Sequence, residues 1–240
     1  WRAFFGAAEA RAGDRPLRLL DVACGSGKFP NALARHAGLG GAGLRPVETA
    51  LLDPSGFSIA EARANLPAPF RAAAEHETTL QAFAPPADGY DIVWATHALY
   101  AIPREELAGA LAVFRAAIAP GGTGLIAHSA EAGHYVAFHR RYLAAFGPDG
   151  AAPYVSAEAI ADTLRDAGAE VTAQEVIYDS MAGPDRRDAV EGFLQRCVFD
   201  DRAGLAEMEG APPLSDYLAD CCGPEGWRFP QRVWLMTVRA

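Results

Sequence analysis

The sequence predicts an α/β protein built on a doubly wound, mostly parallel sheet with added helices. Three short apolar runs carry that expectation: Leu17 to Ala23, Val47 to Leu52, and Asp91 to Thr96. Each is apolar along its length instead of alternating, as strands buried on both faces are. Each is followed by residues at helical spacing, and strand-helix alternation is the pattern of a parallel sheet with its helices as crossovers.

The elements follow in order. The first run enters the turn Cys24-Gly25-Ser26-Gly27, after which Phe29, Leu33 and Ala37 recur at helical spacing. The second closes on Asp53-Pro54-Ser55-Gly56, and Ile59, Ala60, Ala62 and Leu66 mark another helix. A weak strand is expected at Phe70 to Ala74, which makes the run at Asp91 the fourth in chain order. A helix from Arg104 to Ile118 ends at Pro120-Gly121-Gly122, and Gly124 to His128 forms a fifth strand. Helices are expected over Glu131 to Phe146 and Ser156 to Ala167, with Ser156 as N-cap and Gly168 as stop. Two closing strands are expected at Val171 to Tyr178 and Val233 to Arg239. Pro184 to Gly226 between them is helical and rich in proline. The expected organisation is one domain over residues 1–240, with 131–155 and 184–226 as helical insertions on the substrate side. The chain begins at Trp1 and not Met, so further residues are expected upstream.

Composition narrows the function. The 240 residues are half hydrophobic and 21% charged, which is ordinary for a globular protein. No apolar run reaches the roughly 18 residues of a membrane span. A net charge of -9 repels phosphate backbones, so nucleic acid is not an expected partner. Cys24, Cys197, Cys221 and Cys222 lack zinc-site spacing, and a reducing cytoplasm suits them. No metal is expected: His128, His134 and His139 have no accompanying acid at ligand spacing, and His134 and His139 lie off one helix face.

The strongest motif is Asp21-Val22-Ala23-Cys24-Gly25-Ser26-Gly27. Gly25 and Gly27 let a ligand approach the backbone at the carboxyl end of the first strand, where a Cβ would collide. Asp53, 26 residues past Gly27, ends the second strand, where a carboxylate can accept both hydroxyls of a ribose. Together they describe a site for an adenosine-containing cofactor. A dinucleotide fingerprint wants a glycine where Pro30 stands, and Gly27-Lys28 is followed by Phe29, not by the Ser or Thr of a phosphate loop.

The loop instead resembles the first motif of class I S-adenosylmethionine-dependent methyltransferases. The resemblance extends to His76-Glu77-Thr78-Thr79-Leu80, to Asp91 through Tyr100, and to Ile118-Ala119-Pro120-Gly121-Gly122, and covers about Leu17 to His128. It implies a Rossmann-like methyltransferase fold with a seven-stranded sheet. It also implies S-adenosylmethionine as cofactor, S-adenosylhomocysteine as product, and a cofactor site of Asp21, Gly25, Gly27, Asp53, Pro54, Thr78, Thr79 and Thr96. A longer, looser similarity is to the histamine N-methyltransferase-like branch. It rests on Leu99-Tyr100, His134 to Tyr142, Tyr154 to Glu158, Glu191 to Phe199 and a strand that ends the chain. His97 stands where that branch has a substrate-contacting Gln, and Gln231 where an Asn begins its last strand.

His97, at the end of the fourth strand, is the candidate catalytic residue: a neutral imidazole there can orient a nucleophile or take a proton. Tyr100, Tyr135, Phe138, Phe199 and Gln231 are the candidate substrate contacts, with aromatic rings suited to a flat or cationic small molecule. The expected reaction is methyl transfer to a nitrogen of a small amine, imidazole or amino-acid-like molecule in biosynthesis. The alternatives are O- or C-methylation of a natural product, or a non-catalytic protein that binds S-adenosylmethionine.

Overall fold

The structure, a computed structural model, describes residues 1–41, 43–148 and 150–239. They form two compact units: Trp1–Ala127 with Ile160–Ala173 and Leu235–Ala240, and His128–Ala159 with Gln174–Trp234.

The first unit contains the parallel strands. Strands β1 (Leu17–Val22), β2 (Val47–Asp53), β3 (Phe70–Glu77), β4 (Tyr90–Thr96) and β5 (Ile118–Ser129) appear in chain order. They lie side by side in the order β3-β2-β1-β4-β5, followed by β8 (Gly226–Arg239) and β6 (Glu170–Ala182). A two-residue strand, β7 (Cys222–Gly223), pairs with β8 off this path, so the expected seven strands are joined by an eighth. Pairing is parallel for β1 with β2 and β4, for β2 with β3, and for β4 with β5. The chain therefore winds outward from β1 on one side and returns to its other side at β4. The carboxyl ends of β1 and β4 flank a topological switch point, where open α/β sheets bind ligands.

Helix α1 (Arg2–Ala12), not foreseen from the sequence, packs Phe5, Ala8 and Ala12 into the sheet's core beside Leu19, Phe70 and Trp94. Its Ala-rich composition hides the apolar stripe. Helix α2 (Lys28–His36) contributes Leu33 to the same core, and α3 (Gly56–Asn65) packs Ile59 and Ala62 on Leu51. Strand β3 runs to Glu77, beyond the expected Ala74. It is an edge strand whose residues past Phe70 are exposed or half-buried, so no apolar run marks it. The expected break at Pro120-Gly121-Gly122 is a bulge inside β5, where Ile118 pairs with Tyr90 and Thr123 with Ile92. The helix before it starts later than expected, with a 3-10 turn over Arg104–Glu106 and α4 over Leu107–Ala116. Helix α6 (Ala157–Asp166) is capped as foreseen, Ala159 N–H donating to Ser156 Oγ at 3.4 Å.

The second unit gathers α5 (His134–Phe146), α7 (Arg187–Val198), α8 (Leu205–Gly210) and α9 (Leu214–Cys221). Phe138, Leu194, Met208, Leu218, Trp227 and Phe229 close its separate core. Strand β8 begins seven residues before the expected Val233, at Gly226. Pro230 in its middle obscures it in sequence; in the structure the proline is exposed between buried Phe229 and Gln231. Gln231 is thus an interior residue of the strand and not its first. No helix among the described residues is long and apolar enough to cross a membrane.

Candidate active site

The turn after β1 is tight. Ala23, Gly25 and Gly27 all have positive φ, at 51°, 50° and 74°, which only glycine adopts without strain. A Cβ on Gly27 would meet the Ala62 backbone at 3.3 Å, so this glycine lets α2 and α3 approach; a Cβ on Gly25 would project into open space. The two glycines therefore differ in kind: one serves packing, and the other leaves a cradle open in front of the backbone.

Asp53 holds that turn. Its Oδ2 accepts from Gly25 N–H at 3.1 Å and its Oδ1 from Ser55 N–H at 2.9 Å, while its own carbonyl accepts from Thr78 N–H at 3.2 Å. A carboxylate has about four acceptor sites, so two remain for a ligand's hydroxyls. Pro54 is exposed beside it and Thr78 half-buried. Thr79 caps the short turn Leu80–Ala82, with its hydroxyl accepting from Ala82 N–H at 3.4 Å.

Asp21 lies under the loop, 3% exposed. Burial drives its carboxyl pKa up to about 7, a contact with the Trp94 indole N–H pulls it down, and the charge of Asp53 raises it further. Its Oδ2 has no well-aligned hydrogen-bond partner. Cys24 beside it is pushed to about 12, first by burial and then by Asp21 and Asp53, so it is an inert thiol.

At the end of β4, Thr96 pairs with Ala127 and the next residue turns sharply. His97 has φ 52°, and its N–H donates to Ala127 O at 2.8 Å. Its Nδ1 is 2.8 Å from the hydroxyl of Tyr100, a residue only 5% exposed, and the two rings lie 21° from parallel. The imidazole reaches solvent although protein crowds it, and lost hydration pushes its pKa below the ordinary histidine value. It is neutral at pH 7.

The remaining candidates belong to the second unit. Tyr135 is half-buried against Phe193, their ring centroids 6.4 Å apart. Phe138 is wholly buried and stacks on His134, so its contacts are with protein. Gln231, 1% exposed, donates its amide to Ser180 Oγ at 3.2 Å. Phe199 is 75% exposed at the end of α7, with φ 52°. His134, weighed in the sequence only as a metal ligand, is the hub of this unit. Its Nδ1 is 2.7 Å from the Tyr217 hydroxyl, and burial drops its pKa to about 3, so it is a neutral packing residue. His139 likewise is occupied, accepting from Tyr154 N–H at 3.0 Å and stacked on that ring.

A glycine cradle, a carboxylate that ends β2 and a solvent-facing group that ends β4, all at one switch point, define a nucleotide-type cofactor site on a doubly wound sheet. A model of the methyltransferase-domain family matches residues 2–174, and the chain belongs to that family. It is an S-adenosylmethionine-dependent methyltransferase. The residues fit this cofactor: the open space at Gly25 leaves room for it, and the buried Asp21 Oδ2 has no well-aligned partner among the described residues. Solved structures share the fold. A provisional methyltransferase from Bacillus halodurans C-125 superposes with a TM-score of 0.62 at 16% identity, over 99% of this chain and 98% of that one. A SAM-dependent methyltransferase from Methanosarcina mazei gives 0.54 at 12%, over 96% and 95%. The [4+2]-cyclase SpnF gives 0.53 at 18%, over 99% and 80%. No curated protein matches the chain.

Proposed function

We propose that the enzyme methylates a nitrogen of a small amine, imidazole or amino-acid-like molecule. The observation that carries this is His97: a neutral imidazole at the end of β4, open to solvent, with Nδ1 fixed by Tyr100. The cofactor supplies an activated methyl group, so the protein's tasks are alignment and exclusion of water. Asp53, Pro54 and Thr78 are assigned to the adenosine, Gly25 and Asp21 to the methionine part with Gly27 shaping the turn between them and α2, and Thr79 and Thr96 to the rim. His97 takes the catalytic role, accepting a hydrogen bond or proton from the attacking nitrogen so that its lone pair points at the methyl carbon. An amine that is already neutral needs little more from a base.

Selection of the acceptor is assigned to Tyr100 and, in the second unit, to segments 131–155 and 184–226 with Tyr135 and Phe199, while Phe138 and Gln231, buried against protein, support those segments from within. Affiliation with the histamine N-methyltransferase-like branch is part of the same reading. It rests on Leu99-Tyr100 and on the helical segments, with His97 and Gln231 marking a different acceptor from histamine. The four cysteines are free thiols, which suits a cytoplasmic enzyme.

The test is to incubate purified protein and S-adenosylmethionine with matched amines, imidazoles and phenols, and measure S-adenosylhomocysteine. Turnover confined to nitrogen acceptors is expected. Turnover with phenols alone would replace the nitrogen assignment by O-methylation, and cofactor binding with no turnover across the panel would replace it by a binding role.

A further inference from the structure

The second unit contains a cavity of about 410 Å³, between the end of β6, the start of α7 and β8. We infer that it is a binding site for a small carboxylate with an apolar, ring-sized body. Its volume is in the range of small-molecule sites. Phe193 and Phe229 form the floor, ring centroids 5.3 Å apart, with Val190 beside them; Met181 and Ala189 form the rim. Val190 is 1% and Phe229 2% exposed, so the floor is anchored in the core and the site is preformed.

Arg186 is the one charged residue lining the cavity. Three nearby arginines are held in ion pairs: Arg187 with Glu209, Arg202 with Asp200, Arg228 with Asp179. Among the described residues Arg186 makes no ion pair, although Asp185 and Asp188 lie close in sequence. It also stands at the N-cap of α7, the helix end where a cation is disfavoured and an anion welcome. Ser180, at the cavity wall, already accepts from Gln231, so its own O–H is left to donate. A cavity lined by an arginine, a serine hydroxyl and two aromatic rings matches a carboxylate on an apolar body. In a protein of net charge -9, only such a local cation makes an acidic ligand acceptable.

The inference does not depend on nitrogen methylation, because direct binding needs no turnover. The test compares 1-naphthaleneacetate with its uncharged amide and with 1-naphthylmethylamine by calorimetry and amide chemical-shift mapping. The acid is expected to bind, to shift the amides of Ala182, Gly183 and Arg186, and to outbind the other two. Arg186→Gln should weaken the acid about tenfold or more and leave the amide unchanged. Ala189→Trp, at an exposed position of α7, should block both compounds without lowering the melting temperature. Equal affinity for acid and amide, shifts elsewhere in the wild-type protein, no binding by any of the three, or undiminished binding in folded Arg186→Gln would overturn it.

Discussion

The amide of Gly25 donates to Oδ2 of Asp53 across 3.1 Å, tying the glycine turn after β1 to the end of β2. One carboxylate thus shapes the glycine turn and, in the proposed cofactor site, would also accept the ribose hydroxyls. Asp53→Ala should weaken S-adenosylhomocysteine binding by about 1.5–3 kcal/mol, the range for hydrogen bonds to a charged group. Calorimetry that returns wild-type affinity would remove Asp53 from the site.

Gly25 and Gly27 should respond differently to the same substitution. Alanine at either meets the left-handed penalty, about 1–2 kcal/mol. At Gly27 the new methyl also presses on the Ala62 backbone at 3.3 Å, so Gly27→Ala should show the larger fall in melting temperature. At Gly25 the methyl enters open space that the cofactor would occupy. Gly25→Ala should therefore lose more cofactor affinity for its smaller loss of stability. Wild-type affinity in Gly25→Ala would disprove the cradle.

Asp21 makes stability depend on pH. Its folded pKa is raised to about 7 from 3.8, chiefly by burial. Between those values the folded state binds the extra proton, so the contribution is complete below 3.8 and lost as pH rises through 7. Asp21→Asn cannot ionise and escapes that loss. Its melting temperature relative to wild type should climb from about pH 5 to about pH 8 in thermal melts, and a constant difference would show that Asp21 titrates normally.

How legible each feature was in the sequence follows from burial. Strands β1, β2 and β4 are buried along almost their whole length and stand out as apolar runs. Edge strand β3 buries little beyond Phe70, and α1 packs largely through alanines, so neither announces itself. The turn itself was readable, since the positive φ of Gly25 and Gly27 and the strand end at Asp53 dictate residue type locally. The hub role of His134 was not, since it is made by Tyr217, Phe193 and Phe229 from distant segments. Arg186 was equally silent, because the cavity it lines is built from β6, α7 and β8, far apart in the chain.

His97 and Tyr100 carry the last prediction. Burial holds the imidazole pKa below its ordinary value of 6.5, so the neutral form prevails through physiological pH. A residue that must be neutral to accept a proton gives a rate that rises with pH through its pKa and then levels. The pH profile of kcat/KM, taken with a nitrogen acceptor found in the panel, should therefore show an acidic limb with its midpoint under 6.5. Tyr100→Phe removes the hydroxyl at Nδ1 and leaves the ring, so it should shift that midpoint and lower kcat while the cofactor still binds. His97→Ala should lose the limb and most of the rate, with S-adenosylhomocysteine affinity close to wild type. An equal fall in cofactor affinity and turnover would move His97 from the acceptor side to the cofactor side.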